Sequence, residues 1–197
     1  TLGIAAGAGT VTFTGTVGNN NALSNITITA ATTTNSSTLV GSGTYAITGN
    51  AVVNGAITSV TNLSVSGTTA IGANISTTGT QGYTGAVTLT GSGTKTLTGS
   101  TITASSTIAG GGNSLTIADP GSGGNAVFGG AITGVVNLSV AGTTAINTTT
   151  ITTSGTQTYT GAVTLGAAAT LTTTNSAVLF SSTLNSFDAT LRTLGIA

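Results

Sequence analysis

Hydrophobic and hydroxylated residues alternate along short stretches of this chain. Val11, Phe13 and Val17 are separated by threonines at positions 10, 12, 14 and 16, so one side of the segment is apolar and the other is hydroxylated. A period of two predicts half-buried β-strands. The same pattern places on one side Ile26 and Ile28, Leu63 and Val65, Val87 and Leu89, Leu115 and Ile117, and Leu138 and Val140. No helical period persists for two turns, so we predict an all-β fold.

Turn-forming residues separate the predicted strands. They are Gly-Ser-Gly at 41–43 and 91–93, three glycines at 110–112, Asp-Pro-Gly at 119–121 and three asparagines at 19–21. Glycine supplies positive φ angles, proline fixes φ, and Asn and Asp bond to the nearby backbone, so each group predicts a tight turn.

Long segments of the sequence recur at similar spacings. Asn50–Ile71 and Asn125–Ile146 are identical at 17 of 22 positions, with an offset of 75 in the numbering. Thr77–Leu89 returns as Thr153–Leu165 at an offset of 76, with 11 of 13 positions identical. A third pair, at 32–40 and 172–180, has an offset of 140. Repetition at fixed spacing is typical of solenoids, whose units stack on one another.

All three offsets are near multiples of about 19 to 20 residues, a length that holds two or three short strands and their corners. We therefore predict a parallel β-helix of about ten coils with about 19–20 residues each, in which strands of successive coils pair about 4.8 Å apart. A single coil leaves its backbone N–H and C=O groups unpaired, so several coils are needed for stability. The prediction treats residues 1–197 as one solenoid segment.

The opening pentapeptide Thr1–Ala5, TLGIA, is also the closing pentapeptide Thr193–Ala197. The chain begins without methionine and has no polar capping segment. An uncapped solenoid end exposes unpaired backbone groups and invites further stacking. We expect the chain to be one period, of about 192 residues, in a longer array.

The composition removes most catalytic chemistry. Lys95, Arg192, Asp119 and Asp188 are the only ionisable side chains besides three tyrosines, and His, Cys, Met and Trp are absent. Acid–base catalysis needs a group that titrates near the working pH, and zinc and calcium sites need Cys, His or clustered carboxylates. Two cations do not make a nucleic-acid surface. We predict no enzyme activity, no catalytic, cofactor-binding or metal-binding residues, no nucleic-acid partner and no membrane insertion.

Two local motifs have an alternative chemical interpretation. Ser92 and Lys95 have the S-x-x-K spacing of penicillin-recognising hydrolases, but they lie in a Gly-Ser turn rather than on a helix. Asn25, Asn62, Asn74 and Asn137 each begin a glycosylation sequon. Such sequons are nearly unavoidable in an Asn- and Thr-rich chain, so stacked or solvated corner asparagines are the preferred interpretation.

Two features leave a binding function possible. The threonine-rich side of the strands could bind ice, and the phenylalanines could bind carbohydrate. Ranks of Thr on a flat sheet order water at ice-binding surfaces, although Thr also favours strands and faces water. The Thr pairs do not recur at one fixed place in each coil of the predicted helix, which disfavours this alternative. Phe13, Phe128, Phe180 and Phe187 are predicted to pack in the core or at corners rather than to form a carbohydrate platform.

Segments such as GTQTYTGAVTLGAAATLT, AVFGGAITGVVNLSVAGTTAI and FTGTVGNNNALSNITITA resemble the repeats of filamentous-haemagglutinin-like adhesins, which are very large secreted and surface proteins of bacteria. The resemblance covers essentially the whole chain and implies a right-handed parallel β-helix, export to the cell surface or medium, and no catalytic residue. We therefore expect a structural stalk or filament segment that stacks on neighbouring repeats or identical subunits and can self-associate laterally. The alternative is an ice- or carbohydrate-binding face.

Overall fold

A computed structural model describes residues 1–41, 43–118, 121 and 124–197, which form β-strands and no helix. The strands are β1 Leu2–Phe13, β2 Ile26–Asn35, β3 Leu39–Val40, β4 Thr44–Val53, β5 Ile57–Val60, β6 Asn62–Val65, β7 Thr69–Ile71, β8 Ile75–Thr77, β9 Thr80–Tyr83, β10 Val87–Leu89, β11 Thr94–Thr98, β12 Thr101–Ala104, β13 Ile108–Ala109, β14 Ser114–Ala118, β15 Asn125–Phe128, β16 Ile132–Val135, β17 Leu138–Val140, β18 Thr144–Ile146, β19 Thr150–Thr153, β20 Gln157–Tyr159, β21 Val163–Leu165, β22 Ala169–Thr172, β23 Val178–Phe180, β24 Leu184–Ser186 and β25 Leu194–Ile196.

Successive strands lie on three faces of the molecule in turn, and all pairings between the named strands are parallel. Face 1 contains the first halves of β1, β2 and β4, followed by β6, β9, β12, β15, β18, β21 and β24. Face 2 contains the second halves of β1, β2 and β4, followed by β7, β10, β13, β16, β19, β22 and β25. Face 3 contains β3, β5, β8, β11, β14, β17, β20 and β23.

One circuit of the three faces is one coil, and the chain makes about nine turns. The predicted all-β parallel solenoid is confirmed. The coils are less regular than predicted, because Leu63 pairs with Gln81 in the next coil at an offset of 18, whereas Ile102 pairs with Ala126 at an offset of 24. The right-handed sense of winding stays a prediction.

The shortest coils are built from a six-residue unit that the division of long spacings did not find. The first inward-facing residues of consecutive strands stand six positions apart: Tyr45, Ala51, Ile57, Leu63, Thr69, Ile75, Gln81 and Val87. All eight are at most 3% exposed. Three such units make one of the shortest coils, and longer coils carry additional residues at corners, as at 90–93 and 110–112.

The core is a single column of inward side chains along the axis. The predicted inward residues of the inner coils are buried, including Ile26, Leu63, Leu115 and Leu138. At the first coil, Val11 and Phe13 are only partly buried because no coil lies beyond them. Most strands therefore contribute alternate residues to the core, as the period of two predicted. The exceptions β5 and β16 bury their first and last residues instead.

The predicted turns at 91–93 and 110–112 are confirmed, since Gly91, Gly93, Gly111 and Gly112 all have positive φ angles. The predicted turns at 41–43 and 119–121 include Ser42, Asp119 and Pro120, which lie outside the described residues. Within the described ranges, the chain contains no helix with the length and hydropathy needed to cross a bilayer.

Candidate functional site

Ser92 and Lys95 form a turn contact rather than a nucleophile–base pair. Lys95 lies in β11 at an inward position and is 4% exposed. Its Nζ donates to the backbone oxygen of Ser92 at 2.9 Å. Activation of a serine would require the lysine amine to contact the hydroxyl. The contact between Lys95 and Ser92 therefore closes the corner between positions 91 and 94.

The second charged cluster lies near the last strand. Arg192 Nη1 donates to Asp188 Oδ1 at 2.7 Å and to Ser186 Oγ at 2.9 Å. Hydrogen bonds from Arg192 and from the Thr190 backbone hold the pKa of Asp188 well below its usual range, and the pairing raises the pKa of Arg192. The Asp188 side chain is 49% exposed and the Arg192 side chain 14% exposed, and an isolated ion pair in contact with solvent contributes little to stability.

No group of three or more His, Cys, Asp or Glu side chains is gathered anywhere in the described ranges. The core contains a void of about 10 Å³ next to Ala104, which lies between Tyr83 and Phe128 on face 1. Its lining is apolar and its volume matches about one water molecule, so it is a packing defect rather than a ligand pocket.

The core holds two matching polar units that the sequence analysis did not recognise. Tyr83 donates to Gln81 Oε1 at 2.8 Å, and Gln81 Nε2 donates to the Thr98 carbonyl of the next coil at 2.8 Å. Tyr159 donates to Gln157 at 3.0 Å, and Gln157 donates to the Thr172 carbonyl at 3.0 Å. The signal was present, since these are the only glutamines in the chain and each stands two residues before a tyrosine.

Asparagines at the corners join one coil to the next. Asn62 Oδ1 accepts hydrogen bonds from the backbone N–H of Thr80 at 2.9 Å and from its hydroxyl at 3.0 Å. Asn50, Asn125 and Asn137 accept the same two bonds from Thr68, Thr143 and Thr156. A glycine stands directly before each of these threonines. At Gly79, for example, a Cβ would lie 2.5 Å from Asn62 Oδ1, which is too close for any side chain.

These contacts account for the four sequon asparagines named in the sequence analysis. Asn62 and Asn137 make the two-bond clamp just described, while Asn25 accepts from Thr44 and Asn74 accepts from Thr96, each at 2.9 Å. All four side chains therefore link adjacent coils, in agreement with the stacked-corner interpretation. Glycosylation itself stays untested.

Hydroxylated side chains recur at one fixed place in four consecutive coils of face 3, although not in every coil. Thr96, Thr116, Ser139 and Thr158 occupy successive positions of one outward row, in four consecutive coils. A neighbouring row contains Thr94, Ser114, Asn137 and Thr156. The irregular coil lengths hide this alignment in the sequence, because the four residues of the first row are separated by 20, 23 and 19 positions.

The phenylalanines follow the predicted packing with one exception. Phe128 is 1% exposed, Phe13 and Phe180 are half-buried, and the Phe180 ring stacks on Tyr159 with centroids 5.3 Å apart. Phe187, by contrast, is 72% exposed. It follows β24, beyond which the structure has no further coil on face 1, so nothing covers it.

Comparisons of the sequence and the structure with known proteins found no matching family model, no similar curated protein and no similar solved structure. The resemblance to filamentous-haemagglutinin-like repeats therefore stays a prediction.

Proposed function

We propose that this chain is a structural segment of a long exported bacterial protein, where it forms part of an adhesin stalk or of an extracellular filament. The observation that supports this function best is the unbroken backbone ladder. On face 1, ten strands from β1 to β24 pair in parallel without a gap. At about 4.8 Å per coil, this ladder spans about 45 Å.

The surface chemistry suits a spacer. The sequence has two basic and two acidic side chains in 197 residues. Because few exposed charges are available for screening or titration, the length and stability of the rod should change little with salt. Trypsin has only two basic residues to recognise, and Lys95 is buried, which favours persistence outside the cell.

A spacer assay tests the proposal. The chain is placed between a surface anchor and a fluorescent reporter domain, and the height of the reporter is measured with one copy and with two tandem copies. The proposal predicts an increment of about 45 Å per copy that is the same in low and high salt. A reporter height that does not increase with copy number would refute the spacer function. Antibody labelling of intact source cells tests export separately.

The hydroxyl rows of face 3 support a second candidate, binding to ice or to a flat polysaccharide. Thr116 and Ser139 lie at the centre of this patch and are neighbours in its main row. Thermal hysteresis and polysaccharide sedimentation are measured for the chain and for the Thr116→Leu variant, with Thr103→Leu on face 1 as the control. Binding that only Thr116→Leu abolishes would favour this candidate, and no binding by the parent chain would eliminate it.

A further inference from the structure

The repeated pentapeptide occupies the outermost strand at each end of the rod. At the start it forms the beginning of β1, on face 1, where Leu2 pairs with Ile26. At the end it forms β25, on face 2, where Leu194 pairs with Ala169 and Ile196 pairs with Leu171. The same five residues therefore dock on two different faces.

The β25 strand is a well-paired strand on an otherwise open end. Ala169 N donates to Thr193 O and Ala197 N donates to Leu171 O, both at 3.0 Å. Its outer edge is uncovered, since Ile196 is 55% exposed while Leu171 beneath it is fully buried. The preceding segment 187–193 belongs to no strand, and Leu191 within it is 96% exposed.

The two ends are complementary. Leu2 and Ile4 of β1 are partly buried, whereas Ile26 and Ile28 of the next coil are at most 2% exposed, so β1 also lacks a covering coil. Because the ladders are parallel, one end of the rod presents the edge that the other end accepts. Such a contact is heterologous and does not close into a ring, so it generates filaments.

We propose that copies of this chain join head to tail at β22. Residues 193–197 occupy the place on β22 that the opening strand of a second copy takes. Each copy is therefore turned by one face relative to the copy before it. The inference rests on the proposed filament function and specifies its junction. Leu2–Ile4 of the next copy, on face 1 of that copy, continues face 2 of the copy before it. A given side chain then returns to the same side of the filament after three copies.

Trypsin provides a test with the intact chain. Lys95 is 4% exposed within β11. Arg192, whose side chain is 14% exposed and paired with Asp188, follows the 96% exposed Leu191 in a segment outside the strands, so limited digestion of the folded chain should remove only residues 193–197. In the intact chain, residues 193–197 compete with a second copy for β22 at an effective concentration in the millimolar range, and trypsin removes this competitor. We expect the trimmed chain to form head-to-tail oligomers at a concentration at least about tenfold lower than the untrimmed chain. The Arg192→Gln variant, exposed to the same protease, is the control and should stay monomeric at that lower concentration.

Cysteine cross-linking tests the rotation, because the native chain contains no cysteine. In β25, Gly195 pairs with Thr170, and both residues face outward. Gly3 holds the corresponding position in β1, and a Cβ placed there would have no other atom within 4 Å. A trimmed Gly3→Cys chain should therefore form a disulfide with a trimmed Thr170→Cys chain, since paired strands lie within disulfide range. Assembly without rotation would instead join Gly3→Cys to Asn185→Cys, the outward position on face 1.

Circular dichroism of the trimmed chain, with a β spectrum and a cooperative melting transition, verifies that it remains folded. A cross-link at Thr170→Cys together with oligomers that depend on trimming would support the proposal. A cross-link at Asn185→Cys, or a folded and trimmed chain that stays monomeric, would overturn it. The height that a single copy gives in the spacer assay does not depend on the junction, so the junction can fail while the spacer function stands.

Discussion

The segments 50–89 and 125–165 have nearly the same sequence but occupy different faces of the rod. Leu63 lies on face 1 and its counterpart Leu138 lies on face 3, yet both are fully buried. Gln81 and Gln157 are displaced in the same way and make equivalent hydrogen bonds, each to the tyrosine two residues later and to a threonine carbonyl of the next coil. The offset between the two copies corresponds to three full coils and two further faces, so the copies are rotated by one face.

A backbone bulge also occurs at the same position of both copies, although the copies lie on different faces. Ser59 has a φ angle of 59° and its counterpart Gly134 has a φ angle of 66°. The strand pairing shifts register at both places, between Ile57 and Val60 on face 3 and between Ile132 and Val135 on face 2. Because the same irregularity appears on different faces, the local six-residue unit determines the conformation and the three faces are structurally equivalent.

The largest expected effect comes from a charge in the core. Leu63→Asp and Leu138→Asp should each destabilise the chain by about 4 kcal/mol or more, because each buries a carboxylate without a partner. Equivalent faces predict equal losses. The controls Ser64→Asp and Ser139→Asp face outward and should change stability by less than about 1 kcal/mol. Chemical denaturation measures all four, and a large loss for an outward variant would mean that the inward and outward sides are reversed.

Alkaline pH should destabilise both copies in the same way. Burial raises the pKa values of Tyr83 and Tyr159, and also that of Tyr45. The folded state retains these phenolic protons above pH 10 while the unfolded chain loses them, so stability is fully present below about pH 10 and falls as the pH rises further. Each tyrosine contributes about 1.4 kcal/mol per pH unit in that range.

Melting temperatures from pH 6 to 11, with tyrosinate absorbance, measure this loss. Tyr83→Phe and Tyr159→Phe should reduce the alkaline slope equally. A slope that only one of the two variants changes would show that the copies have different environments.

Loss of the buried glutamines should have a medium effect. Gln81→Leu and Gln157→Leu each leave a tyrosine hydroxyl without its acceptor in the core, which should cost about 2 to 3 kcal/mol. Adding Tyr83→Phe to Gln81→Leu should recover about 1 kcal/mol, because the unpaired hydroxyl is removed. Thermal unfolding of the single and double variants tests this coupling. A cost that differs by more than about twofold between the copies would argue against equivalent faces.

Exchanging serine and glycine at the two bulges should change stability in opposite directions. Gly134→Ser should destabilise the chain by about 1 kcal/mol, because a side chain must then adopt a left-handed conformation. Ser59→Gly should stabilise it by up to about 1 kcal/mol for the same reason, less the flexibility that glycine adds to the unfolded chain. Denaturation midpoints measure both, and the same sign for the two exchanges would contradict a shared bulge.

The smallest effect concerns a hydroxyl that both copies bury. Thr69 and Thr144 are counterparts, each is 1% exposed, and neither hydroxyl has a hydrogen-bond partner among the described residues. Thr69→Val and Thr144→Val should each raise stability by about 0.5 to 1 kcal/mol. Differential scanning calorimetry provides the measurement. A loss at either site would reveal that the hydroxyl has a partner in solution.

Much of the architecture could be predicted from the sequence. The period of two identified inward residues such as Leu115 and Leu138, and the long repeats identified a solenoid. Dividing those spacings gave about 19–20 residues per coil, which lies within the observed offsets of 18 to 24. It could not give the lengths of individual coils, because the repeats are offset by a fraction of a coil and corner insertions lengthen some coils. The six-residue spacing from Tyr45 to Val87 contained the missing information.

Repetition in the sequence did not always predict the same structure. The third repeated pair aligns Leu39 with Leu179, but Leu39 is fully buried and Leu179 is 52% exposed. In the terminal coil, Val178 and Phe180 face inward instead, and Phe180 stacks on Tyr159. In this coil the stacking on Tyr159 and the absence of a following coil determine which side chains face inward, rather than the local sequence pattern. The hydroxyl rows of face 3 were likewise invisible until the register between coils was known.

The central claim is that the chain stacks as coils along one axis, and spin-label distances on one outward row test it most directly. Thr27, Thr103 and Thr164 lie in the same row of face 1, with Thr103 four coils and Thr164 seven coils from Thr27. The account predicts distances of about 19 Å for the Thr27–Thr103 pair and about 34 Å for the Thr27–Thr164 pair. Distances that do not increase in proportion to the number of coils would contradict it.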